Sequence, residues 1–272
     1  MRVRDLIGEP PAVMGILNVT PDSFSDGGRF LEKEKAVNRA LRMKEAGAAI
    51  VDIGGESTRP GASPVSEQEE ISRVIPVIEE VASRGIPVSC DTSKPGVARE
   101  ALRRGAVMIN DVRGFSDPEM REGAAGYNAA VCVMHMKGTP RSMQSGPRYE
   151  NLLSEIREYL HRQASLCREA GIPREEIFID PGVGFGKTLE HNLELIANAD
   201  FFTVRHPVLM GVSRKSFIGM ISGLHPRDRL GGSVASACWL ALKGVDILRV
   251  HDVKETVEAL KVIKEIRKRR NE

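Results

Sequence analysis

Short apolar runs recur eight times along this chain, at 13–18, 49–52, 88–91, 107–111, 129–135, 177–180, 208–215 and 247–251, and nearly every one ends in a polar or charged residue. Segments with helical spacing separate them. Ser66 and Glu69 form a capping-box pattern, after which Ile71, Val74, Ile75 and Ile78 fall on one face and Gly85 stops the run. A second helix is predicted to open near Asn151, with Leu153, Ile156, Leu160 and Cys167 on one stripe, and to stop at Gly171. A third is predicted after Asp252, with Val257, Leu260 and Ile263 inward. Strand and helix therefore alternate, which implies a parallel sheet, and eight such units predict closure into an α/β (β/α)8 TIM barrel.

In that architecture the carboxyl ends of the strands converge on one mouth, so the residues ending each run are the first candidates for chemistry. Two connections are long and rich in turn formers, one at 20–28 after the first strand and one at 56–64 after the second. Both leave the mouth, and long connections there read as lids. Residues 135–149 read as a loop after the fifth strand.

The chain has 272 residues, a length that one such barrel accounts for, so residues 1–272 are read as a single domain. The 39 basic and 37 acidic residues nearly cancel to +2, which gives no electrostatic reason to expect nucleic acid or a membrane surface as partner. The basic run at the end, Lys261, Lys264 and 267–270, reads as the solvated face of a last helix. Cys90, Cys132, Cys167 and Cys238 are far apart and form no zinc or redox pattern, so they are expected to be reduced thiols. With no apolar leader, a cytoplasmic location is expected.

Several chemistries are disfavoured. The run 181–188, PGVGFGKT, nearly spells a P-loop, yet Pro181 stands where the first glycine is needed. Only His135 and His251 lie at strand ends, too few and too scattered for a histidine-rich metal centre. A single Mg2+ shared between Asn18 and substrate phosphate oxygens stays open, because Mg2+ takes oxygen ligands and commonly shares them with phosphate. What the strand ends do offer is Asp91, Asn110, Asp180, Lys215, Arg249 and His251. Carboxylates in such a mouth call for a ligand that presents donors, as an aminopyrimidinone edge does. Arg59 and Arg249 suit an anionic group and can stack on a flat ring. A flat polar heterocycle carrying phosphate satisfies the whole set.

At this point longer motifs come into view: LNVTPDSFSDGG at 17–28, GGESTRPG at 54–61, CDTSK at 90–94, INDVRG at 109–114, MHMKGTPRSMQ at 134–144, DPGVGFGKT at 180–188, SRKSFIG at 213–219 and RVHDV at 249–253. Together they resemble the dihydropteroate synthases over almost the whole chain. The resemblance implies condensation of 6-hydroxymethyl-7,8-dihydropterin diphosphate with p-aminobenzoate, with Mg2+ as cofactor, a homodimeric assembly through the late helices and sensitivity to sulfonamides. It assigns the pterin to Asp91, Asn110, Asp180, Lys215 and Arg249, and the diphosphate to Asn18, Thr58, Arg59, Arg249 and His251. The metal falls to Asn18. The aminobenzoate falls to Phe24, Pro60, Phe185, Arg214, Lys215 and Ser216, with its carboxylate at a helix amino terminus. Asp26 is expected to stabilise a methylene cation, so the catalytic group comprises Asp26, Arg59, Lys215, Arg249 and His251. Two other readings stay open: a pterin-dependent methyltransferase of similar barrel, and a barrel that binds pterin without turning it over.

Overall fold

The structure is a computed structural model that describes residues 2–20, 29–57, 61–139, 142–143 and 146–270. Its strands are β1 (Ala12–Asn18), β2 (Ile50–Gly54), β3 (Val88–Asp91), β4 (Met108–Asp111), β5 (Ala130–Met134), β6 (Ile177–Asp180), β7 (Leu209–Gly211) and β8 (Ile247–Val250). All pairings are parallel, in the order β6-β5-β4-β3-β2-β1-β8-β7. The two end strands meet through a bridge between Ile179 and Val208, and the circuit closes as a TIM barrel.

The helices are α1 (Val3–Ile7), α2 (Arg29–Glu45), α3 (Glu67–Ser83), α4 (Pro95–Arg103), α5 (Pro118–Gly126), α6 (Leu152–Glu169), α7 (Leu189–Ala197), α8 (Ser216–Ser222), α9 (Leu230–Leu242) and α10 (Val253–Arg270). The starts of α3 and α6 follow the sequence signals. Ser66 Oγ accepts from the Glu69 N–H at 3.2 Å and Asn151 Oδ1 from the Ser154 N–H at 3.1 Å, each satisfying an orphan donor of a first turn. The Ser66 box is half formed, because the Glu69 carboxylate turns along the helix to Arg73. Of the α3 stripe, Val74, Ile75 and Ile78 are buried against the sheet and Ile71 is packed at its edge. The thiols at 90, 132, 167 and 238 are unpaired, as expected.

Side chains of a strand alternate between faces, and this divides the core in two. Outward residues such as Val51, Ile53, Val88, Cys90 and Ile109 join the helices in one large apolar layer. Inward residues Ala12, Met14, Ile50, Met108, Ala130, Phe178, Leu209 and Ile247 fill the amino-terminal half of the barrel, closed from below by Val3 and Ile7 of α1. One expectation needs correction: the run 208–215 is strand only over β7, since Arg214 takes φ 57 and the chain turns there into α8. Among the described residues no helix is long and apolar enough to cross a membrane.

Candidate active site

The alternation that sends Met14, Ile50, Met108, Phe178 and Ile247 into the barrel must, two or four residues on, send Asn18, Asp52, Asn110, Asp180 and Arg249 inward above them. Register ties neighbours at one level: Asn18 lies beside Gly54, Gly54 beside Asp91, and Asp91 beside Asn110. Gly54 leaves that level open, for a Cβ there would lie 3.3 Å from Asp91 Cβ. Asp111, one residue past Asn110, faces the other way. Its carboxylate accepts from Ser93 Oγ at 2.5 Å and from the N–H groups of Arg113 and Phe115 at 2.8 Å each, which fixes the connection after β4 rather than a ligand.

Arg249 organises the floor of the mouth. Its Nε donates to Asp52 Oδ2 and its Nη2 to Asp91 Oδ2, both at 2.6 Å, while Asn110 Nδ2 donates to the same Asp52 oxygen at 3.2 Å. Burial works against the guanidinium charge, but Asp52 and Asp91 more than restore it and hold Arg249 above its ordinary range. Burial pushes Asp91 up to about 7, against the pull of Arg249 and with the repulsion of Asp52.

The opposite wall comes from β6 and the turn after β7. Asp180 is pushed upward by burial and pulled back by the Lys215 ammonium and by the Gly182 N–H, which donates to its Oδ1 at 2.7 Å. Burial lowers Lys215 to about 8, with Asp180 and Asp91 opposing. Its Nζ donates to the Val183 carbonyl and lies 4.6 Å from the centre of the Phe185 ring. Asp91, Asn110, Asp180 and Lys215 thus share one inward face and one electrostatic environment, as the strand ends predict.

The glycines of DPGVGFGKT have a packing role. Gly182, Gly184 and Gly186 all take positive φ, and a Cβ on Gly182 would fall 1.9 Å from the His135 carbonyl oxygen. The connection is therefore pressed onto the end of β5, where Lys187, 3% exposed, donates to the Phe185 carbonyl at 2.9 Å and lies 3.0 Å from His135 Nδ1. Burial pulls both the Lys187 ammonium and, to about 3, the His135 imidazole down.

At the remaining rim, His251 Nδ1 lies 3.1 Å from Ser213 Oγ, and burial with Arg249 nearby lowers the imidazole to about 4. Ser216 is the exposed first residue of α8. Arg214 is drawn aside: its Nε and Nη2 grip Asp252 at 2.9 and 2.5 Å. Phe24, Asp26, Thr58, Arg59 and Pro60 lie outside the described residues. Asp52, the polar end of the run 49–52, received no role from the sequence, yet it is fully buried and bonds both Arg249 and Asn110. Its signal was a lone carboxylate flanked by Ile50, Val51 and Ile53, a placement that requires a buried partner.

Comparison with known proteins agrees with this geometry. The pterin binding enzyme family matches residues 14–251. The dihydropteroate synthase of Escherichia coli (strain K12) is 51% identical over 255 residues, covering 93% of this chain and 90% of that one. Among solved structures, the Yersinia pestis dihydropteroate synthase in a sulfonamide drug complex superposes with TM-score 0.90 at 48% identity, covering 95% of this chain and 94% of that one. The Xanthomonas albilineans dihydropteroate synthase with 4-aminobenzoic acid gives TM-score 0.89 at 44% identity, covering 94% and 93%. Sequence, barrel and mouth agree that this chain belongs to the pterin binding enzymes, and within them to the dihydropteroate synthases.

Proposed function

We propose that the mouth binds 6-hydroxymethyl-7,8-dihydropterin diphosphate and joins its methylene carbon to the amine of p-aminobenzoate, giving 7,8-dihydropteroate and pyrophosphate. The observation that carries this reading is the bonded set of Arg249, Asp52, Asp91 and Asn110 gathered with Asp180 and Lys215 at one end of the barrel. Asp91 and Asp180 accept from the N–H donors of the pterin edge, Asn110 and Lys215 donate to its acceptors, and Arg249 serves the ring face and the diphosphate. With Nδ1 of His251 engaged by Ser213, Nε2 is the nitrogen left to donate to a phosphate oxygen. Asn18, Thr58 and Arg59 complete the diphosphate contacts. Phe24, Pro60, Phe185, Lys215 and Ser216 hold the aminobenzoate, and Arg214 shapes that wall through its pair with Asp252.

The reaction is read as dissociative substitution. The carbon–oxygen bond at the methylene breaks first and its electron pair leaves on the diphosphate. The electron-rich dihydropterin carries the positive charge, with Asp26 as its electrostatic partner, and water is kept out. The aniline lone pair then forms the carbon–nitrogen bond, and the surplus amine proton passes to solvent. Mg2+ fits the donor set: the Asn18 amide at the end of β1 offers one oxygen, and substrate phosphate would provide the others. Bound there, it would neutralise the leaving group.

The same reading makes sulfonamides competitive with p-aminobenzoate and sets the enzyme in the cytoplasm, where unpaired thiols persist. A homodimer through α8, α9 and the connection between them is supported by the exposed apolar side chains of Met220, Ile221, Leu224, Trp239 and Leu242, and sedimentation at twice the chain mass would bear it out. The deciding experiment is pyrophosphate release measured with each substrate alone and with both, before and after chelation of Mg2+. Release only with both, lost on chelation and restored by Mg2+, is expected. Release independent of p-aminobenzoate would overturn the reading.

A further inference from the structure

The second extended connection leaves β2 at Gly54 and re-enters regular structure at Glu67, and charge holds its two feet. At the entry, Glu56 Oε1 accepts from the Val65 N–H at the exit, at 3.4 Å. Its other oxygen takes a hydrogen bond from Lys94 Nζ. Lys94 directly precedes α4, three residues past Asp91 on the path leaving β3, and its ammonium also donates to Glu70 of α3. One turn along α3, Arg73 donates to the Gly55 carbonyl at 2.8 Å. A cleft of about 440 Å³ opens at this junction, lined by Asp91, Lys94, Glu56 and Glu70 among others.

The order of constraint follows from burial. Glu70 has a side chain only 1% exposed, so its charge must be matched and Lys94 is held where Glu70 needs it. Glu56, at 28% exposure, is the freer partner and is fixed by Lys94 rather than fixing it. Burial alone would lower the Lys94 ammonium, but the bonds to Glu56 and Glu70 keep it above its ordinary value, so Lys94 stays charged at neutral pH.

We infer that Lys94 is a positioning residue: anchored by buried Glu70, it fixes Glu56 and with it both feet of the connection carrying Thr58, Arg59 and Pro60, in register with the Asp91 edge of the pterin pocket. The inference rests on the assignment of those three residues to diphosphate and p-aminobenzoate. Groups placed before the substrate arrives spare the reaction that ordering, and a misplacement of about 1 Å can cost a hundredfold in rate.

Glu56→Gln separates this role from stability, because it removes the charged link to the foot and leaves the Lys94–Glu70 pair intact. Lys94→Met removes both links and Lys94→Arg restores a cation. For each, kcat and KM for p-aminobenzoate, the Kd of 6-hydroxymethylpterin by calorimetry and the melting temperature are measured. Glu56→Gln is expected to raise the KM for p-aminobenzoate about tenfold, with pterin affinity within about twofold and an unchanged melting temperature. Lys94→Met should show the same split with a lower melting temperature, and Lys94→Arg should recover most of the KM. An unchanged KM in Glu56→Gln, or equal losses of pterin affinity and KM, would overturn the inference while leaving the wild-type reaction in place. A wild type that releases no pyrophosphate with p-aminobenzoate would overturn the site assignment and the inference with it.

Discussion

Asp91 combines its proposed role in the pterin pocket with an ionisation that burial moves to about 7, so its effects on stability and on ligand binding have opposite signs with pH. In the unfolded chain its pKa is about 3.9. Between those values the native state holds a proton that the unfolded chain has lost, so the contribution of Asp91 to stability falls as pH rises through this window and levels off above about 7. In the proposed binding mode a pterin N–H donates to the Asp91 carboxylate, so binding below about pH 7 would expel that proton. Pterin affinity is expected to weaken toward tenfold per unit as pH drops below about 7, with proton release visible as buffer-dependent heat in calorimetry. Asp91→Asn should flatten the profile, and a slope that persists in this variant assigns the titration to another group. Asp180→Asn acts differently, because the Gly182 N–H keeps an amide oxygen to bond. The loop stays in place while one charged acceptor is lost, and pterin binding should weaken by about 1.5–3 kcal/mol, read as the Kd of 6-hydroxymethylpterin.

At the scale of elements, the connection from β6 to α7 depends on close approach as much as on backbone freedom, and two glycines of nearly equal φ separate the two effects. Gly85 and Gly182 have φ 74 and 72, yet a Cβ meets nothing within 4 Å at Gly85 and meets the His135 carbonyl at 1.9 Å at Gly182. Gly85→Ala should therefore cost about 1–2 kcal/mol, the penalty of the left-handed conformation. Gly182→Ala must also push the connection off β5, costing more than about 3 kcal/mol and raising the KM for p-aminobenzoate as Phe185 moves. Urea denaturation and steady-state kinetics on the pair check both halves. These elements also mark how far the sequence could be read. Recurring apolar runs and their polar ends were enough to expect Asp91, Asn110 and Asp180 at one mouth, since the barrel geometry does the converging. Asn110 and Asp111 looked alike as strand ends, and only the phase of the pleat, fixed by Met108 pointing inward, separates ligand-facing from helix-facing. Asp52 was hidden because its partner Arg249 is 197 residues away, a pairing that local pattern cannot reveal. The turn at Arg214 broke a run that hydropathy read as continuous strand, since backbone dihedrals are not written in apolar spacing.

The whole molecule divides its barrel into a lower half that sustains the fold and an upper half that holds the chemistry. Below, Val3 and Ile7 of α1 close the barrel over Met14, Ile50, Met108 and Phe178. The buried Glu176 carboxylate accepts from the N–H groups of Val3 and Arg4 at 3.0 and 3.3 Å, which fastens this plug through the first turn of α1. Above, the polar side chains are held mainly by one another and by the connections after the strands. The layers meet on the same short strands: Phe178 belongs to the plug and Asp180, two residues later on the same face, to the site. Close packing could transmit a change from one to the other, but a cavity at the bottom is bounded by apolar side chains that share no hydrogen bond with the mouth. Ile7→Ala is accordingly expected to lower stability by about 2–4 kcal/mol and to leave kcat and KM within about twofold. Combined with Asp180→Asn, it should leave the loss of pterin affinity the same as in Asp180→Asn alone, within about 0.5 kcal/mol. Calorimetry on the single and double variants, at a temperature where both are folded, measures that coupling. A larger coupling would mean that the plug at the base of the barrel sets the position of β6 and so tunes the pterin pocket from below.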